Sequence, residues 1–218
     1  MNRFYSTVVA VGLFTYAMLA SPVADARNED PSRFDFNVFL NDKKIGTHSF
    51  ELQSENGIRE VKSVANFKYT VFFIPAYRYE HSNNERWQDN CLIEFAASTN
   101  ANGKKSEVSG SKVDESFQID NGATPSELPE CIMSFAYWNS DFLSQRRLLN
   151  QQTGEYVDVE VQEIGSESLE VRGEAVTATR FQLTSPNARL TLWYSTEDEW
   201  LALESIAKNG QIIRYELS

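Results

Sequence analysis

The chain has 218 residues, of which 41% are apolar, 12% aromatic and 23% charged, with six prolines and ten glycines. That composition excludes a disordered tail, a collagen-like repeat and a membrane-filling bundle, and it fits one ordinary globular domain. The formal charge of −11 opposes nucleic-acid phosphate and anionic lipid. No basic cluster longer than a pair (Lys43-Lys44, Lys104-Lys105, Arg146-Arg147) offers a local exception, so nucleic acid is not an expected partner.

Residues 1–26 have the three parts of a secretory signal peptide. Arg3 supplies the charged n-region, Thr7 to Ala20 an uncharged h-region, and Ala24-Asp25-Ala26 a small-x-small cleavage site, so the mature chain is expected to begin at Arg27. The apolar run is shorter than the ~20 residues a membrane span needs, and it ends at Ser21-Pro22. No cysteine follows for lipid attachment, so no stable membrane anchor is expected. Periplasmic export is the first expectation and secretion the second; the absence of any Asn-x-Ser/Thr sequon points to a bacterial protein. In such an oxidising compartment the two cysteines, Cys91 and Cys131, are expected to form a disulfide.

After the polar lead the dominant pattern has period two, the mark of half-buried antiparallel strands. Phe34, Phe36, Val38 and Leu40 alternate with polar residues, and Asn41-Asp42-Lys43 turns into Ile45 to Leu52. Asn56-Gly57 reverses the chain into a long strand from Ile58 to Phe73, which Pro75 is expected to end. Tyr77 to Trp87 and Cys91 to Ser98 read as the next strands, with turns at Asp89-Asn90 and Asn102-Gly103. Asn121-Gly122, Pro125 and Pro129 interrupt the pattern, and Ile132 to Leu149 mixes aromatic and aliphatic residues without alternation, which predicts a short helical insertion. Alternation resumes from Glu155, with turns at Gly165, Gly173, Ser185-Pro186-Asn187 and Asn209-Gly210, and ends in strands Trp200 to Ile206 and Gln211 to Leu217.

About ten strands with no linker and no internal repeat predict a single all-β, mainly antiparallel domain over residues 27–218. The expected form is a strongly curved meander sheet or barrel-like fold, with a β-sandwich as the alternative.

Several blocks carry a family resemblance. Ala76-Tyr77-Arg78-Tyr79-Glu80-His81, Trp87 with Cys91-Leu92, Phe135-Ala136-Tyr137-Trp138-Asn139, Leu148-Leu149-Asn150, Thr153-Gly154-Glu155-Tyr156, and Leu192-Trp193-Tyr194-Ser195 with Trp200 resemble an uncharacterised family of exported bacterial proteins, a domain of unknown function. The likeness runs from about Phe34 to Ser218. Family members often have Gly before the first cysteine, where this chain has Asn90; both residues tolerate positive φ, so the turn stands. The resemblance implies export and a β-rich fold and brings no activity, ligand or catalytic residue.

The densest candidate chemistry lies at Tyr77 to Trp87. On a strand Tyr77, Tyr79 and His81 share one face, while Arg78 and Glu80 share the other at a spacing suited to an ion pair. One reading makes Tyr77, Tyr79, Glu80, His81 and Trp87 the wall of a pocket, with Tyr137 and Trp138 as its lid, suited to a small apolar or amphipathic ligand of the envelope. A rival reading has Glu80 or Glu85 orient His81 as a general base in a hydrolase or isomerase. The plainest reading is packing and surface pairing. His48, on the face of Phe50 and Leu52, reads as a partly buried core residue.

With only two histidines and both cysteines expected to be oxidised, a zinc site would need carboxylates to complete it, and no calcium loop, phosphate-binding glycine loop or Gly-x-Ser-x-Gly nucleophile occurs. Ser-x-x-Lys occurs twice, at Ser109 to Lys112 and Ser205 to Lys208, both in strand or turn sequence. No cofactor or metal is expected. The sequence therefore determines no reaction. It favours a soluble, non-enzymatic periplasmic binding or envelope-maintenance module, with the His81 enzyme or a structural partner of an envelope protein as alternatives. A partner protein would present a contiguous exposed apolar patch.

Overall fold

The computed structural model describes residues 32–71, 74–123, 125–206 and 210–218; the expected signal peptide, the Asn209 turn position and Phe73 lie outside them. Alternation becomes strand wherever the sequence predicts it. The first run of hairpins comprises β1 (Ser32–Leu40), β2 (Lys43–Glu55), β3 (Ile58–Val71), β4 (Ile74–Gln88), β5 (Cys91–Ala101), β6 (Lys104–Val113), β7 (Ser116–Asp120) and β8 (Ser126–Pro129). A cap follows, made of irregular chain, a single 3-10 turn at Ser140–Ser144 and a small hairpin of β9 (Arg147–Asn150) and β10 (Glu155–Asp158). The chain then returns to the sheet through β11 (Glu160–Val171), β12 (Glu174–Thr184), β13 (Arg189–Ser195), β14 (Trp200–Ile206) and β15 (Ile212–Leu217).

Thirteen of these strands form one antiparallel sheet in the order β11-β12-β13-β14-β15-β1-β2-β3-β4-β5-β6-β7-β8. Neighbours in the sheet are neighbours in sequence except at one seam, where β15 pairs with β1. One continuous sheet is a meander, so the sandwich alternative is set aside. Among the described residues no ladder joins β8 to β11, and the sheet is not closed.

Three local expectations are corrected. The long strand ends at Val71, ahead of Pro75, but Pro75 itself is no loop residue: it lies near the start of β4, opposite Thr70, next to a register shift that accommodates a residue with no N–H to give. Gly165 is not a turn but a bulge within β11, at φ 134°, where the register against β12 shifts. The insertion near 132–149 is one helical turn followed by a strand, with the rest irregular.

The turns behave as their residues dictate. Asn56-Gly57 and Asn102-Gly103 both adopt positive φ, as a two-residue hairpin requires. Gly110 has a different reason: a β-carbon there would lie 2.6 Å from the Phe117 ring and 2.7 Å from the Phe95 ring, which stack on each other.

Register sorts the side chains into rows that cross the strands. One row runs Leu217, Phe36, His48, Ala65, His81 and Thr99. The next runs Phe50, Ser63, Asn83, Ala97 and Val108, and a third runs Leu52, Val61, Glu85 and Phe95. These rows form the inner face. The outer face carries exposed ion pairs such as Arg86 with Glu60 and Glu94, each worth roughly 0 to 1 kcal/mol, so the inner face holds the fold together.

The cap fixes the curvature. Ile132, Met133, Ala136, Phe142, Leu148 and Leu149 are buried in the same core as residues from both halves of the sheet. On one side the Leu92 N–H donates to the Ile132 carbonyl (3.0 Å), and the Cys91–Cys131 disulfide, with α-carbons 4.9 Å apart, ties the β4–β5 turn to the cap. On the other, the Tyr194 hydroxyl donates to the Tyr137 carbonyl (2.7 Å) and the Tyr137 ring packs 5.2 Å from that of Trp200. A flat sheet could not touch one short segment from both ends; this one wraps around it.

Candidate functional site

The site is built on β4. Tyr79, His81, Asn83, Glu85 and Trp87 occupy alternate positions, so all five face inward, and Asn83, Glu85 and Trp87 are buried there. Glu85 is the unusual member. Its Oε1 accepts from Asn83 Nδ2 (2.7 Å) and its Oε2 from the Trp87 indole N–H (2.6 Å). Burial pushes its carboxyl up to about 7, against the opposing pull of the Trp87 indole and of the nearby Gln151 amide. Among the described residues that amide's Nε2 nevertheless makes no hydrogen bond of ordinary geometry.

The two histidines flank Ala65 in the row described above. His48 packs against the Phe50 ring at 4.2 Å and that of Tyr215 at 5.8 Å. Neither of its nitrogens has a partner among the described residues. Burial, reinforced by His81, lowers its pKa to about 3. His81 shares a hydrogen between Nδ1 and the Thr99 hydroxyl (2.9 Å), and burial lowers its pKa too. Both rings are therefore neutral near pH 7.

Above this wall the sheet and cap border an open-sided cavity of about 340 Å³. The cap contributes Phe135 and Tyr137, and the turn between β9 and β10 contributes Gln151 and Gln152. The turn between β12 and β13 closes another side with Ser185 and Asn187. The Tyr79 hydroxyl bridges wall and cap by donating to Gln152 Oε1 (3.0 Å).

The sequence-predicted residues divide among three places. Tyr79, His81 and Tyr137 line the cavity, joined by His48 and Glu85. Trp87 and Trp138 do not line it. They meet edge to face at 5.4 Å beside Arg59 and border a separate surface depression of about 600 Å³ at the turns following β2 and β4. Tyr77 is 38% exposed and stacks outside Tyr79. Glu80 is on the outer face, accepting from Arg78 (2.5 Å) and Asn100 (3.0 Å); the Arg78 hydrogen bond holds its carboxyl below the ordinary range. It cannot orient His81, because adjacent parity puts the two on opposite faces of the strand. Glu85 shares the His81 face, yet its oxygens are bonded to Asn83 and Trp87, so the expected histidine–carboxylate pair is not assembled.

Asn83, Ser63, Gln151 and Asn187 were not singled out by sequence reasoning. For Asn83 the signal was present: it has the same parity as Tyr79, His81 and Trp87 on one strand. For Gln151 and Asn187 there was none, since only tertiary folding brings their turns over β4. Among the described residues no group of three or more His, Cys, Asp or Glu has metal-binding geometry, and no helix is long and apolar enough to cross a membrane.

A crystal structure of a beta-barrel-like protein from Brucella abortus, of the domain of unknown function DUF1849, superposes with a TM-score of 0.65. The match covers 86% of this chain and 95% of that one at 8% identity, so the likeness is one of fold alone. No curated protein matches the chain. The family model of DUF6134, a domain of unknown function, matches residues 36–218, essentially the whole sheet and cap just described, and the chain belongs to that family.

Proposed function

We propose that this is an exported, periplasmic binding module that holds a small amphipathic molecule between sheet and cap, and that it is not an enzyme. One observation carries this reading. His48 Nδ1 and Nε2, Asn83 Oδ1 and Gln151 Nε2 are all buried without a partner among the described residues, and all belong to side chains lining one cavity. A buried polar group left unpaired costs roughly 1 to 3 kcal/mol; a ligand able to pair with these groups recovers that energy on binding. Rings of Phe50, Tyr79, Phe135 and Tyr137 supply the apolar part of the lining.

The partner-protein alternative draws less support. The exposed large aliphatic residues Val113, Ile164, Ile206 and Ile212 lie on four strands, and only Ile206 and Ile212 are register partners. The enzyme reading survives only through Glu85, whose carboxyl near neutrality in a cavity suits acid–base chemistry.

Native mass spectrometry of the protein recovered from periplasm without denaturation tests the proposal. The expected species starts at Arg27, is lighter by two hydrogens for the disulfide, and carries additional non-covalent mass. A retained leader overturns the export reading, and a uniformly ligand-free protein overturns the binding reading.

A further inference from the structure

We propose that the cavity between β4 and the cap is a site for a neutral saccharide, one sugar ring with its substituents. This rests on the binding function above and names its ligand class: unpaired carboxamide and imidazole atoms stand among aromatic rings, with no lysine or arginine among the described residues of the lining.

Charge comes first. Among the described residues no lysine or arginine lines the cavity, so an anion finds no counterion there. The one buried carboxylate, Glu85, has both oxygens occupied by Asn83 and Trp87. The other lining carboxylate, Glu155, is exposed and accepts from the Thr153 hydroxyl. A hydrogen bond from a neutral hydroxyl leaves the Glu155 charge in place, but that side chain is exposed and its attraction for a cation is screened by water, and both histidines are held neutral by burial. The complementary ligand is uncharged.

Hydrogen bonding comes next. Five carboxamides line this one cavity: Asn83, Asn150, Gln151, Gln152 and Asn187. Asn83 is only 3% exposed, and because its Nδ2 donates to Glu85, its Oδ1 is the free end and accepts. Gln151 Nε2 offers a donor, and the neutral His48 ring offers one N–H and one lone pair. A ligand that both donates and accepts at adjacent atoms satisfies this set, which is what vicinal hydroxyls do. An acyl chain would leave every one of these atoms unpaired, the condition under which sites reject a ligand most strongly.

Shape and apolar surface complete the argument. A volume of about 340 Å³ is at the small end of ligand pockets, roughly 300 to 1,000 Å³. It suits a sugar ring and not a two-chain lipid. The C–H faces of a pyranose give the aromatic lining something to cover, so that hydroxyl edges and apolar faces are both matched.

The test is a titration of the mature, disulfide-intact protein followed by saturation-transfer NMR, with glucose, N-acetylglucosamine and its β-1,4-linked dimer as probes, against laurate and butylamine. At least one saccharide is expected to bind saturably while laurate and butylamine do not. His48→Phe, which keeps the ring packing on Phe50 and removes both unpaired nitrogens, is expected to weaken that saccharide about tenfold without lowering the melting temperature, and Gln151→Ala, in the cap, by a similar factor. Binding of laurate or butylamine in place of the saccharides overturns the saccharide assignment and leaves the binding function standing. Saccharide binding that both variants leave unchanged also overturns it, because the sugar would then lie elsewhere. A failure of every probe, together with ligand-free protein in the native mass spectrum, overturns both.

Discussion

Two walls of the same sheet are built on the same ladder and differ in what they bury. On β12 to β14 the inner residues include Leu183, Leu192, Tyr194 and Trp200, all nearly inaccessible, and their polar atoms are matched. Tyr194 donates to the Tyr137 carbonyl, and the Trp200 indole N–H donates to the Ala202 carbonyl at 3.0 Å. On β2 to β4 the corresponding positions hold His48, Ser63, His81, Asn83 and Glu85, and His48 and Asn83 have unmatched atoms among the described residues. The dry wall contributes stability by removing apolar area from water. The polar wall costs stability through desolvation, which explains why burial moves the pKa values there and points to that wall as the working surface.

Truncating the dry wall has the largest expected effect. Trp200→Ala removes a side chain with no exposure that packs on Phe36 and Tyr137, and it is expected to lose about 3 to 5 kcal/mol in urea denaturation. A loss below about 1 kcal/mol would show that this wall is not what holds the sheet curved.

The second test cuts the tether between the polar wall and the cap. Replacing Cys91 and Cys131 together by alanine frees a loop of sequence separation 40. On the chain-entropy estimate this loses about 4 kcal/mol, read from the shift in the urea midpoint. If the double variant is as stable as the parent, packing of Trp138 and Ile132 already holds the cap.

The smallest effect is the most specific, because it has a sign. Glu85 has its pKa raised to about 7, so the native state keeps a proton that the unfolded chain releases. Its contribution falls as pH rises from about 4.5 through 7, by about 3 kcal/mol in all. His48 has its pKa lowered to about 3, so it destabilises as pH falls below about 6.5. The two slopes oppose each other between pH 4.5 and 6.5. Glu85→Gln is expected to remove one of them, so that stability rises with pH across that window, as measured by thermal unfolding at a series of pH values. Parallel curves for variant and parent would mean that Glu85 is not desolvated as the polar wall requires.

Much of this architecture was legible in the residues. Alternation placed the strands, Asn-Gly pairs placed the hairpins, and parity along β4 separated the Glu80 face from the His81 face. Where reading failed, the reason was nonlocal. Pro75 and Gly165 look like stops because their local chemistry disfavours a regular ladder, yet a register shift lets each remain within a strand. Trp138 looks like a lid residue because it adjoins Tyr137, but successive residues of an irregular segment point different ways, and it packs on Trp87 instead.

By itself, then, the sequence determined the β class, most of the hairpin turns and the separation of the Glu80 face from the His81 face on β4, because each depends on spacing within a strand or across one turn. Only the tertiary structure decided that β15 meets β1 at a seam between the chain's two ends, that the cap sits inside the curve, and that Gln151 and Asn187 come to stand over His81. Those contacts join residues far apart in the chain, and their geometry follows from accumulated register and twist across thirteen strands, which no local pattern encodes.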